Sequence, residues 1–131
     1  MDRAIREFVR SRALNRCEYC RLPQSAVEGT FHLEHIVARQ HLGADDEMNL
    51  ALACDRCNFY KGSNLSAIDP ETGAVIQLFH PRQQIWEEHF EMDGASIAGR
   101  TPTGRETIRL LNMNVHHRQQ LRAALQALDE W

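Results

Sequence analysis

The chain has 131 residues, of which 43% are hydrophobic and 25% charged, and its formal net charge is −3. That is the length of one domain and the composition of a globular one. No stretch approaches the roughly 20 apolar residues that a membrane span needs. The charge excludes a surface coated in positive charge for nucleic acid, though not a local patch. Residues 1–22 carry six arginines against Asp2, Glu7 and Glu18, and acid collects at 44–47 and 87–93.

In chain order, residues 2–14 predict a short amphipathic helix, with Ile5, Phe8, Val9 and Leu14 near helical spacing. The charge spread along this N-terminus is not that of an export signal, so cytoplasmic residence is the expectation. The pair Cys17–Cys20 follows, then a loop broken by Pro23 and Gly29. Residues 31–37, "FHLEHIV", read as a strand with Phe31, Leu33, His35 and Val37 on one face and His32, Glu34 and Ile36 on the other. A loop of turn residues leads to a second short strand, "LALAC". Asp55 is a candidate cap for a helix that carries Cys57, Asn58 and Lys61. Beyond it, 74–80 and 85–93 look strand-like, with 95–99 a weaker third. Thr103 is a candidate cap for a helix to about Leu111, and Asn114 for a last helix with Leu121, Ala124, Leu125 and Leu128 on one face. The expected class is α+β, one domain over 1–131, with a core of about 15–66 and a strand-and-helix extension of about 74–131.

All four cysteines fall in two C-x-x-C pairs, Cys17/Cys20 and Cys54/Cys57, separated by 33 residues. Four thiolates make a closed tetrahedral zinc site with no position left for water, so this zinc would hold the fold and do no chemistry. Disulfides are disfavoured in a cytosolic chain.

The insert between the knuckles carries a second donor set. Glu34 and Asn58 offer hard oxygens suited to a magnesium-type ion. His35 is a histidine, the side chain that exchanges a proton near neutral pH, and could take one from water. Lys61, one turn after Asn58, could meet a phosphate. His32, His41 and Arg39 are further candidates for phosphate or substrate. His32 and His41 could equally be ordinary solvent-facing residues, and Arg39 a solvated one. Metal, base and cation beside a phosphate make a phosphodiester hydrolase site. Phe79, Trp86 and Phe90 read as core and His89 as structural, while the pairs Arg105/Arg109 and Arg118/Arg122 could lie along a phosphate backbone or equally be solvated helix faces.

The run "LEHIVARQH…DEMNLALACDRCNFYKG" resembles the HNH endonucleases in their H-N-N form with two C-x-x-C knuckles, over about Cys17 to Leu65. The downstream run resembles a tail found in a bacterial branch of the same family. The resemblance implies a ββα-metal (His-Me finger) core stapled by structural zinc. It implies His35 as general base, Glu34 and Asn58 as ligands of a catalytic Mg2+ or Mn2+, and Asn49 as the residue that fixes the loop between the strands. The implied reaction is hydrolysis of DNA phosphodiester bonds to a 5′-phosphate and a 3′-hydroxyl, with contacts to the phosphate backbone. A non-catalytic zinc-knuckle module that binds nucleic acid, an RNA-directed nuclease, and a monomer or a homodimer stay open. In an ideal strand Glu34 and His35 point to opposite faces, so one site for both requires a twist or bulge.

Overall fold

Val9, Tyr19, Leu52, Phe90, Ile97 and Leu125 belong to one continuous apolar core that runs from the first helix to the last. The computed structural model describes residues 1–131. Helix α1 (Arg3–Arg12) is capped by Asp2, whose carboxylate accepts from Ile5 N at 2.9 Å. From its last turn Arg12 donates to the carbonyls of Glu47 and Leu50, tying the helix to the start of the second strand.

Strands β1 (His32–His35) and β2 (Leu50–Ala53) form an antiparallel hairpin. Every residue of β2 is buried, so this strand is covered on both faces. Helix α2 (Asp55–Lys61) follows directly, completing a ββα unit; one cysteine pair precedes β1 and the other lies at the start of α2.

The extension is built on two further hairpins, β3 (Ser66–Ile68) with β4 (Val75–Gln77), and β5 (Phe90–Asp93) with β6 (Ser96–Gly99). Between them lies α3 (Trp86–His89), and α4 (Pro102–Leu110) and α5 (His116–Ala127) close the chain. An aromatic chain joins the extension to the first knuckle. Phe79 meets Tyr19 and Phe90 edge-on, Trp86 lies 5.0 Å from Phe90, and the Trp86 indole N–H donates to the Tyr19 carbonyl.

Several expectations are corrected here. Residues 85–93 are not one strand: Trp86–His89 make a helical turn, which brings Trp86 and Phe90 to one face as i and i+4 neighbours. Residues 66–68, unassigned in the sequence, supply the partner strand for 75–77. Asp55 does not cap α2; it is the first helical residue, after Cys54. Thr101, not Thr103, caps α4 through Gly104 N, while Thr103 donates to the Gln77 carbonyl. Asn114 does not cap α5; its amide bonds both backbone groups of Ile97 as a strand would. Arg122 is not on a solvated face. It is 1% exposed, and its guanidinium serves the carbonyls of Ala95 and Met113 and the amide oxygen of Asn114.

Candidate active site and metal centre

The two cysteine pairs meet. Cys17, Cys20, Cys54 and Cys57 are all buried, with their sulfurs within 4.8 Å of one another and Cys20 3.7 Å from Cys54. A tetrahedron of zinc–sulfur bonds of about 2.3 Å has edges of about 3.8 Å, so the cluster fits a closed tetrathiolate site. Burial pushes the Cys17 thiol up, and hydrogen bonds from Cys17, Cys20 and Cys57 hold Cys54 far down. A bound cation would hold all four sulfurs as thiolates. The knuckle is braced from outside: Glu18 accepts from Leu52 N and pairs with Arg82. Arg82 is therefore a structural residue.

β1 runs in regular register, His32 opposite Ala53 and His35 opposite Leu50, with no bulge. Glu34 and His35 consequently leave the strand on opposite sides, yet both border one hollow without the bulge that the strand pattern called for. Glu34 turns inward, 4% exposed, where the Tyr19 hydroxyl donates to Oε2 at 2.6 Å and Lys61 Nζ stands 2.5 Å from Oε1. Oε1 makes an ion pair there but receives no aligned hydrogen bond. Burial raises the Glu34 carboxyl above its ordinary range, against the opposing pull of Lys61 and Tyr19. Burial and the neighbouring Glu34 push the Tyr19 phenol up in turn.

Lys61 is 2% exposed and donates to the Ile36 carbonyl at 2.8 Å. The expected phosphate contact is corrected: this ammonium is a buried strut between α2 and β1. Nothing in the local sequence distinguishes it from a surface lysine; the signal is the carboxylate it meets across the fold.

His35 turns outward. It lines a hollow of about 500 Å³ with Glu34, Arg39, Gln40, Asn58 and Ser63 among its walls. Its Nε2 lies 2.6 Å from Asp45 Oδ1, and Arg39 holds the same carboxylate at 3.1 and 3.2 Å. These two partners keep the Asp45 carboxyl below its ordinary range. A carboxylate only accepts, so the proton of a neutral His35 sits on Nε2 and the Nδ1 lone pair stays free. Asp45 is the residue that the sequence reading missed. It sits in a run of loop acids, and only the returning loop brings it to His35.

Asn49 holds that loop. Its Oδ1 accepts from Val37 N, and its Nδ2 donates to the carbonyls of Val37 and Ala44. Gly43 passes so close beneath that a Cβ there would stand 1.7 Å from the Val37 carbonyl oxygen. Asn58 reaches the hollow from the middle of α2. His32 faces away from it and bonds Asp55 at 3.0 Å, while His41 is exposed at the end of a short helical turn, Arg39–His41. His89 bonds Thr101, and His80 closes its own turn by accepting from Arg82 N.

The donors bordering the hollow, a carboxylate and an amide oxygen, suit a hard divalent ion. Such an ion would compete with Lys61 for Glu34.

The family model described as HNH endonuclease matches residues 17–64. No curated protein and no solved structure matches the chain. The matched segment spans both cysteine pairs, the strand pair and its helix, and this part of the chain is similar to the HNH endonucleases.

Proposed function

We propose that the chain is a divalent-metal-dependent endonuclease that hydrolyses DNA phosphodiester bonds. The observation that carries this is His35, aimed into a hollow shared with Asn58 and held at Nε2 by Asp45, within a segment that matches a nuclease family.

His35 Nδ1 takes a proton from a water molecule in the hollow. The water oxygen forms the new bond to phosphorus, the bond from phosphorus to the 3′ oxygen breaks, and that oxygen takes a proton from solvent. The products are a 5′-phosphate and a 3′-hydroxyl. Asp45 keeps the imidazole in the reactive tautomer and stabilises the imidazolium once the proton has moved. Arg39, exposed at the rim, keeps Asp45 in place and offers a cation to the phosphate backbone. Asn49 and Gly43 keep the loop that carries Asp45 folded over β1. Asn58 and Glu34 would hold a magnesium or manganese ion, which supplies charge stabilisation to the transferring phosphate and the leaving oxygen. A zinc on the four cysteines would hold α2 against the hairpin. Such a set of reduced thiols suits a cytoplasmic location.

The test is a duplex labelled at both ends, incubated with protein and magnesium, manganese or excess chelator. Metal-dependent fragments whose new 5′ ends a ligase can join support the reading. Fragments with 5′-hydroxyl ends would refute the stated bond cleavage.

A further inference from the structure

Tyr19, Phe31, Phe79, Trp86 and Phe90 are buried, whereas Phe59 is 77% exposed in the middle of α2. Its neighbour Tyr60 is also exposed and meets it edge-on, with ring centroids 5.2 Å apart at 87°. The Arg56 guanidinium lies over the Tyr60 ring, 5.1 Å from its centroid. These three side chains, with His32, Asp55 and Asn58, border a second hollow of about 530 Å³. Asn58 borders both this hollow and the one that holds His35. The aromatic surface is therefore continuous with the candidate cleavage site.

We propose that Phe59, backed edge-on by Tyr60, forms a stacking platform for one unpaired nucleobase next to the phosphate to be cut. This rests on the endonuclease reading and narrows its substrate class. A base inside a duplex has both faces covered by its neighbours, and only an unstacked base offers one to an aromatic ring. Arg56 supplies the positive charge that a flanking phosphate requires, and Asp55, which His32 holds through one carboxylate oxygen, presents the other as an acceptor to the base edge. The substrate is then single-stranded, or a flap, bulge or frayed end that frees one nucleotide. The stack is available to a DNA or an RNA base alike, since both have the same flat face.

The experiment uses the full chain carrying His35→Ala, so that bound strands are not cut. Binding of short labelled oligonucleotides is measured by anisotropy: single-stranded DNA, single-stranded RNA of the same sequence, and the DNA duplex. Single strands should bind more tightly than duplex. Adding Phe59→Ala should weaken single-strand binding by roughly 5- to 100-fold and leave duplex binding unchanged, and Phe59→Trp should restore it. Whichever single strand binds more tightly names the natural backbone. Phe59 is exposed, so Phe59→Ala should keep its melting temperature. Equal binding by Phe59→Ala and its parent overturns the platform. So does a Phe59→Ala variant that converts a dimer to a monomer by light scattering with oligonucleotide binding unchanged, which would make the patch a contact between copies. Loss of binding in Phe59→Ala, together with a His35-intact chain that cleaves no oligonucleotide, would keep the platform and defeat the endonuclease reading. Cleavage and binding both unaffected by Phe59→Ala would do the reverse.

Discussion

Lys61→Met tests whether Lys61 is a strut or a phosphate contact. The substitution keeps the length of the side chain and removes its charge. Glu34 would then stand 4% exposed with the Tyr19 hydroxyl as its remaining partner. Removing one member of a buried ion pair costs about 3–5 kcal/mol, because it strands the other charge. In a chain of this size that is a fall in melting temperature of about 10–20 °C. The loss should depend on pH. Burial already raises the folded-state Glu34 carboxyl above its unfolded value, and losing Lys61 raises it further. The folded variant then binds the proton more tightly than the unfolded chain does. Its stability therefore falls as pH rises from about 4.3, the unfolded carboxyl value, through the raised folded value, and is flat above it. Thermal melts of wild type and variant from pH 4 to 8 should show the gap narrowing at the acid end. Glu34→Gln added to Lys61→Met should recover part of the loss, since the amide carries no charge to strand. A variant that melts with wild type at every pH, and instead loses affinity for nucleic acid, would refute the strut and restore the phosphate contact.

Asp45→Asn should leave the melting temperature and zinc content near wild type and lower the cleavage rate by roughly tenfold or more, a part of what general base catalysis contributes; an unchanged rate would remove Asp45 from the site. The ion pairs of Asp45 with His35 and Arg39 hold its carboxyl low, so their support is present above about pH 3.9 and lost as pH falls through the depressed folded value. A proton titration followed by NMR should place that carboxyl below a free aspartate. Gly43→Ala drives a Cβ into the Val37 carbonyl, and should cost stability and activity together, with hydrogen exchange rising at residues 37–49. Cys57→Ser should lower both zinc content and melting temperature, because structural zinc carries folding energy; an unchanged melt would count against the closed site.

Part of this site can be read along the chain. The two C-x-x-C pairs announce a four-thiolate cluster because ligand spacing is local chemistry, and the apolar spacing of Ile5 and Val9 announces α1. The alternation of 31–37 gives β1, and it also states correctly that Glu34 and His35 diverge. What each then meets is tertiary. Lys61 differs from a surface lysine only because Glu34 and the Ile36 carbonyl await it. Arg122 is buried by carbonyls from the β5–β6 hairpin and the end of α4. Trp86–His89 coils rather than extends because the aromatic core rewards Trp86 and Phe90 on one face. Asp45 gains its role from a loop that Asn49 and Gly43 fold back, across ten residues of sequence, onto His35.

Conversion of a supercoiled plasmid by zinc-loaded protein is the direct test of the nuclease, with magnesium, with manganese, with excess chelator, and with His35→Ala beside wild type. A plasmid with negative supercoiling also exposes the unpaired bases that the α2 platform would take. Nicking by wild type that requires the divalent ion and vanishes in a folded, zinc-loaded His35→Ala protein is the expected result. Nicking that persists undiminished in that variant would contradict the assignment of His35 as the base that activates water.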